Sequence, residues 1–207
     1  MVRVGLTGGI ACGKTTVSEM FSRLGTHIIC ADKIAHELYR PGEPVYQQLI
    51  KRFGDQIVKP DGEIDRARLA SAAFDEGRVE ELNKVVHPAV VRRQEQLTYE
   101  ISEHQPHAVI MVEAALIFEA GVKGRFSKMV VVTCRPEQKI ERYASRAVID
   151  EADARAEVER RSKAQLPDEE KIKRADYVID NSGTLERTRQ QVERIYAELK
   201  VLALNRV

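Results

Sequence analysis

Apolar residues crowd into a short run at residues 2–6, then recur at helical spacing through residues 15–24, at Val17, Met20, Phe21 and Leu24. The first pattern predicts a buried strand and the second an amphipathic helix. Further short, mostly β-branched apolar runs predict strands at residues 27–30, 108–113, 129–134 and 177–179. Helical patterns separate them, so the chain reads as an α/β protein with a five-stranded parallel sheet covered by helices on both faces. In such a sheet ligands gather beyond the carboxyl ends of the strands. Those positions hold Gly8 to Thr15, Asp32, Glu113 and the segment to Glu119, Arg135, and Asp180 to Gly183.

Two intervals are longer than a crossover helix needs. The first, at about residues 33–106, is charged and helical with turns at "RPGEP" and "KPDGE", and is read as a helical insert. The second, at about residues 137–174, carries Arg142, Arg146, Arg155, Arg160, Arg161 and Lys163. Gln138, Arg142 and Arg146 follow at i+4 steps and would share one helix face, either as a solvated surface or as a cationic lid. The last stripe, Leu185, Val192, Ile195, Tyr196, Leu199 and Leu202, predicts a packing helix.

Between the first strand and the first helix lies "GGIACGKT", with the spacing Gly-x-x-x-x-Gly-Lys-Thr from Gly8 to Thr15. Glycines free the backbone to turn successive N–H groups inward around an anion, and a helix starting at Gly13 or Lys14 aims its positive end at the same point. Lys14 adds a full charge and the Thr15 hydroxyl suits Mg²⁺. Strand, loop and helix together make this a P-loop rather than a glycine-rich turn.

At 207 residues and a net charge of +1, the chain has room for one sizeable α/β domain with inserts, and no global field favours nucleic acid or an anionic membrane. Cys12, Cys30 and Cys134 are too far apart for a disulfide framework or zinc site, which suits a reducing cytoplasm. No apolar stretch reaches membrane-spanning length, and a strand beginning at Val2 leaves no room for a signal peptide.

A GTPase would need Asn-Lys-x-Asp; the nearest string, Asn83-Lys84-Val85-Val86, lacks the aspartate. Asp180-Asn181-Ser182-Gly183 resembles a GTPase Asp-x-x-Gly, but nothing after it recognises a base. A small kinase remains. The ordered stretches "TGGIACGKTT", "ADKIAHE", "DGEIDRARLASAAF", "LNKVVHPAV", "ALIFE", "RPEQKIERYASR" and "KAQLPDEEKIKRADYVIDNSG" resemble the dephospho-CoA kinase family nearly from end to end. The resemblance implies a nucleoside-monophosphate-kinase-like fold and ATP-dependent phosphorylation of the ribose 3′-hydroxyl of dephospho-CoA, the last step of coenzyme A synthesis. It also implies a single kinase domain, monomeric or weakly self-associating. The alternatives are a kinase for another small molecule and an ATP-binding regulatory module, against which Asp32 and the lid arginines argue. Two departures stand out: Ala11-Cys12 replaces the usual Gly-Ser, and Ala115 with Leu116 stands where proline and leucine are usual.

Phosphoryl transfer asks a protein mainly to position groups and neutralise charge. ATP would be held by Gly9, Ile10, Ala11, Cys12, Gly13, Lys14, Thr15 and Thr16, with Arg146 reaching the transferring group and Arg142 as second choice. Asp32, past the second strand, would accept the 3′-hydroxyl proton and hold hydrated Mg²⁺ with Thr15; the other reading is an N-cap for a helix beginning at Lys33. By resemblance, Arg66, His87, Leu116, Phe118 and Glu119 contact the acceptor, His87 otherwise being a helix-boundary histidine. Asn181 and Gly183 border adenine through backbone groups, again by resemblance. Cys12 has two readings, an activated thiol near a helix N-terminus and Lys14, or an inert buried one.

Overall fold

All seven residues of the first strand, β1 (Val2–Gly8), are buried, as a strand covered on both sides requires. The computed structural model describes residues 1–74 and 77–205. Besides β1 it contains β2 (His27–Cys30), β3 (Val109–Glu113), β4 (Lys128–Thr133) and β5 (Tyr177–Asp180), in one five-stranded sheet ordered β2-β3-β1-β4-β5. β1 pairs parallel with β3 from Val2↔Val109 to Leu6↔Glu113, and with β4 from Val4↔Lys128 to Gly8↔Val132. β4 pairs parallel with β5. Each expected strand is present within two residues of its expected ends. β1 continues past Leu6 because Thr7 and Gly8 still pair with β4.

Two helices cover one face, α1 (Lys14–Arg23) and α9 (Leu185–Leu204). Val2, Val4, Leu6, Val130 and Val132 pack there with Val17, Phe21, Val192, Ile195 and Leu199. Alternation along a strand sends Met129 and Val131 to the opposite face, where they meet Ile117 and Phe118. Gly5 belongs to that side, and a Cβ on it would run into Met129 and Ile117.

The chain divides into two compact units, Met1–Ile29 with Ile101–Val207, and Cys30–Glu100. The second is helical, as expected of the insert: α2 (Ala31–Leu38), α3 (Pro44–Phe53), α4 (Arg66–Phe74) and most of α5 (Val79–His104). Its core gathers Val45, Leu49, Phe53, Ile57, Ile64, Leu69 and Val85. Both expected turns form, with Pro44 at the first turn of α3 and Gly62 at φ 87° in the other. α5 continues through Pro88, so His87 sits inside a helix and is not a boundary residue.

In the first unit, residues 137–174 fold as α6 (Pro136–Ala147), α7 (Glu151–Lys163) and α8 (Asp168–Lys173). α6 and α7 pack through Ile140, Tyr143, Ala154 and Val158 against Ile10 of the glycine-rich loop. That contact seats the lid helices on the loop.

Cys12 is fully buried in the core beneath the loop. Burial raises its thiol pKa and outweighs the lowering by the Lys14 charge. Cys134, in the same core, is pushed up to about 11, chiefly by burial. The inert reading of Cys12 therefore holds, and the activated one is corrected. The helix end and Lys14 are close, but they cannot offset removal of the thiolate from water. A short exposure of the native protein to iodoacetamide near neutral pH is expected to modify half-buried Cys30 and spare Cys12 and Cys134, as read by peptide mass mapping. Labelling of Cys12 as fast as Cys30 would contradict this.

Candidate active site

The loop after β1 turns on two left-handed residues, Ala11 at φ 54° and Gly13 at φ 93°. A Cβ on Gly13 would fall on the side-chain amide of Asn181, so a glycine is required there twice over. Ala11 carries the Cβ that a glycine would lack, at a cost of about 1 kcal/mol. α1 begins at Lys14, directly after Gly13, as expected. The Lys14 ammonium donates to the carbonyls of Gly8 and Gly9, both at 3.1 Å.

Glu113 closes the carboxyl end of β3, next to β1, and is nearly buried. It accepts from Ser18 Oγ at 2.8 Å and lies 3.4 Å from Thr15 Oγ1. Sequence reasoning marked its strand-end position but gave it no role; the available signal was a carboxylate ending the apolar run "AVIMVE". No group of three or more His, Cys, Asp or Glu among the described residues forms a metal cage. Thr15 beside Glu113 supplies hard oxygen donors, which fits Mg²⁺ held mainly by water and substrate phosphates.

Asn181 and Arg142 brace the loop from outside. The Asn181 side chain donates to the Cys12 carbonyl at 2.9 Å and accepts from Thr188 Oγ1 at 2.9 Å. Its backbone N–H donates to the Thr133 carbonyl at 2.8 Å, and its own carbonyl accepts from Arg142 at 2.9 Å. Both backbone groups are thus engaged in bracing the loop. Arg142 also lies 3.5 Å from the Cys12 carbonyl. Gln138 donates to the Ser182 carbonyl at 3.0 Å, so two members of the expected α6 face reach the loop after β5. Arg146, the third, is exposed and lies over the Tyr143 ring, 5.3 Å from its centroid. Gly183 borders a polar cleft with Asp180, Arg187 and Arg194.

After β3, Phe118 and Ile117 are buried while Leu116 is 48 % exposed. The Glu119 carboxylate accepts from the Leu166 N–H at 2.7 Å and pairs at 3.3 Å with Lys171, which is fully buried. Glu119 is therefore tied up in holding the start of α8, because a buried ammonium must have a counter-charge.

In the helical unit, Asp32 lies in the first turn of α2, which begins at Ala31 with Cys30 as N-cap. The alternative N-cap reading of Asp32 is corrected: the helix starts at Ala31, two residues earlier than the Lys33 start that reading requires. His36 follows one turn later, its Nε2 2.6 Å and Nδ1 3.3 Å from Arg66 Nη1. Burial and the Arg66 charge lower the His36 pKa, against an opposing pull from Asp32. Neutral His36 can then accept from Arg66. The two line a cleft with Tyr39, Arg40, Lys59 and Glu63. Asp32 and Arg66 thus both act on the charge of His36, which sequence reasoning missed although it stands four residues after Asp32. His87 is exposed on α5.

A family model described as dephospho-CoA kinase matches residues 2–187. A dephospho-CoA kinase of Aquifex aeolicus (strain VF5) is 42% identical over 200 residues, spanning 96% of this chain and 98% of that one. A crystal structure from Thermus thermophilus aligns with a TM-score of 0.78 at 32% identity, over 96% of this chain and 97% of the other. A dephospho-CoA kinase from Campylobacter jejuni aligns at 0.67 and 27% identity, over 96% and 97%. The chain therefore belongs to the dephospho-CoA kinase family, which uses ATP in the final step of coenzyme A biosynthesis.

Proposed function

We propose that this chain transfers the γ-phosphoryl of ATP to the ribose 3′-hydroxyl of dephospho-CoA through the following division of roles. The observation that carries it is the set around the first turn of α1, where Lys14 lies on the loop carbonyls and Thr15 lies beside Glu113. The loop N–H groups from Gly9 to Thr16 and the Lys14 ammonium hold the donor phosphates. Lys14 exchanges the carbonyls of Gly8 and Gly9 for phosphate oxygens when ATP arrives. Thr15, Glu113 and Asp32 would hold Mg²⁺, which when bound would neutralise charge on the phosphates. Asp32 accepts the proton of the attacking hydroxyl. Arg66, with His36, and His87 hold the acceptor, with Leu116 and Phe118 as apolar neighbours. Arg142 keeps the loop in shape, and Arg146 supplies a movable cation to the transferring group. The reaction is assigned to the cytoplasm, where three cysteines outside any disulfide are stable; no helix is long and apolar enough to cross a membrane among the described residues.

ADP release with dephospho-CoA, AMP, adenosine and shikimate offered separately tests the acceptor. Release stimulated by dephospho-CoA alone is expected, and equal stimulation by AMP or shikimate would remove the assignment. Asp32→Asn keeps shape but cannot take a proton, so kcat is expected to fall on the order of 10²- to 10⁴-fold with ATP affinity little changed. Retained kcat would exclude Asp32 as the base. The two lid arginines should separate in steady-state kinetics. Arg142→Ala is expected to raise KM for ATP more than it lowers kcat, whereas Arg146→Ala lowers kcat roughly 10²- to 10³-fold. The reverse pattern would exchange their roles.

A further inference from the structure

An ion pair in the lid touches the phosphate-binding loop and is not used in the scheme above. Lys139 on α6 pairs with Asp168, the first residue of α8; the side chains are 13 % and 29 % exposed. Both charged ends reach Gly9. A Cβ on Gly9 would stand 2.9 Å from Lys139 Nζ and 2.9 Å from Asp168 Oδ1. Gly9 is also one of the two residues whose carbonyls receive the Lys14 ammonium. The charges are felt inside the loop, since Asp168 raises the Cys12 pKa and Lys139 lowers it.

A carboxylate against a loop that binds polyphosphate is unfavourable by itself. At an effective dielectric near 20, two unit charges several ångströms apart repel strongly enough to weaken binding more than about tenfold. Lys139 cancels that charge at the point of contact. Asp168 in turn holds the Lys139 side chain in place, which spares the entropy of ordering a long flexible chain at the loop. Neither partner is interchangeable with the other: removing the cation leaves an anion facing the phosphates, and removing the anion leaves a cation there.

We propose that Lys139 is a donor-positioning residue, whose ammonium, fixed by Asp168 against Gly9, sets the electrostatic potential of the phosphate loop for ATP. The proposal rests on the donor-site assignment above and makes a signed prediction that a purely structural strut does not. Affinity for the β,γ-methylene analogue of ATP with Mg²⁺ would be measured by titration without acceptor, alongside the thermal midpoint. Lys139→Met is expected to weaken binding on the order of tenfold, and Lys139→Arg to stay within about threefold of wild type. Asp168→Asn should bind as tightly as wild type or more tightly. The double variant Lys139→Met/Asp168→Asn should recover most of the loss of Lys139→Met. If Lys139→Met does not fold, the comparison of Asp168→Asn and the double variant with wild type carries the same sign.

Weakening by Asp168→Asn equal to that by Lys139→Met, with the double variant weakest, would overturn the proposal and leave a packing contact. Unchanged affinity in every variant would overturn it as well. Wild-type protein that fails to bind the analogue would instead count against the donor site itself, so the two failures are distinguishable.

Discussion

The carbonyl of Cys12 is the point on which the nucleotide loop depends. It sits between two left-handed residues, above a thiol buried in the sheet core, where a backbone acceptor must find donors within the protein. It takes the Asn181 amide at 2.9 Å, with an Arg142 nitrogen at 3.5 Å. Asn181 is itself anchored to the end of β4 and to α9, and Arg142 to the Asn181 carbonyl. A loop between β1 and α1 is thereby tied to β5, α6 and α9. Its curvature is set before any ligand arrives, which is how a phosphate site avoids reorganisation during the reaction.

The charges around that loop are arranged in pairs. Lys14 rests on two carbonyls, Glu113 on two hydroxyls, and Lys139 on Asp168. Glu113 and Asp168 each thus have a donor beside them. The same logic explains Glu119 and Lys171 at a distance from the loop: the fully buried ammonium needs a carboxylate, and Glu119 provides it while fixing the Leu166 N–H.

Much of the fold was legible because its signals are local. Apolar β-branched runs between helical patterns marked each strand to within two residues, and the glycine spacing marked the loop and the start of α1 at Lys14. The insert was legible from its length, and its two turns from Gly42 and Gly62. The alternative reading of His87 as a boundary residue followed from Pro88, a strong local signal for one, yet packing of Val85, Ala89 and Val90 carries α5 through it. The alternative reading of Asp32 as a cap missed the start of α2 by two residues, for helix ends are the least determined part of a local pattern.

The sequence by itself determined the sheet, the phosphate loop, the helical insert and the family, since each rests on periodicity or on residues close together in the chain. Tertiary structure alone decided which distant side chains meet. Asn181 reaches Cys12 across 169 positions, Ser18 reaches Glu113 across 95, and Lys139 meets Asp168 across 29. It also decided the state of Cys12, whose neighbours in sequence promise a reactive thiolate while its neighbours in space remove it from water. Burial and long-range contact follow from how the layers pack, and no spacing along the chain encodes them.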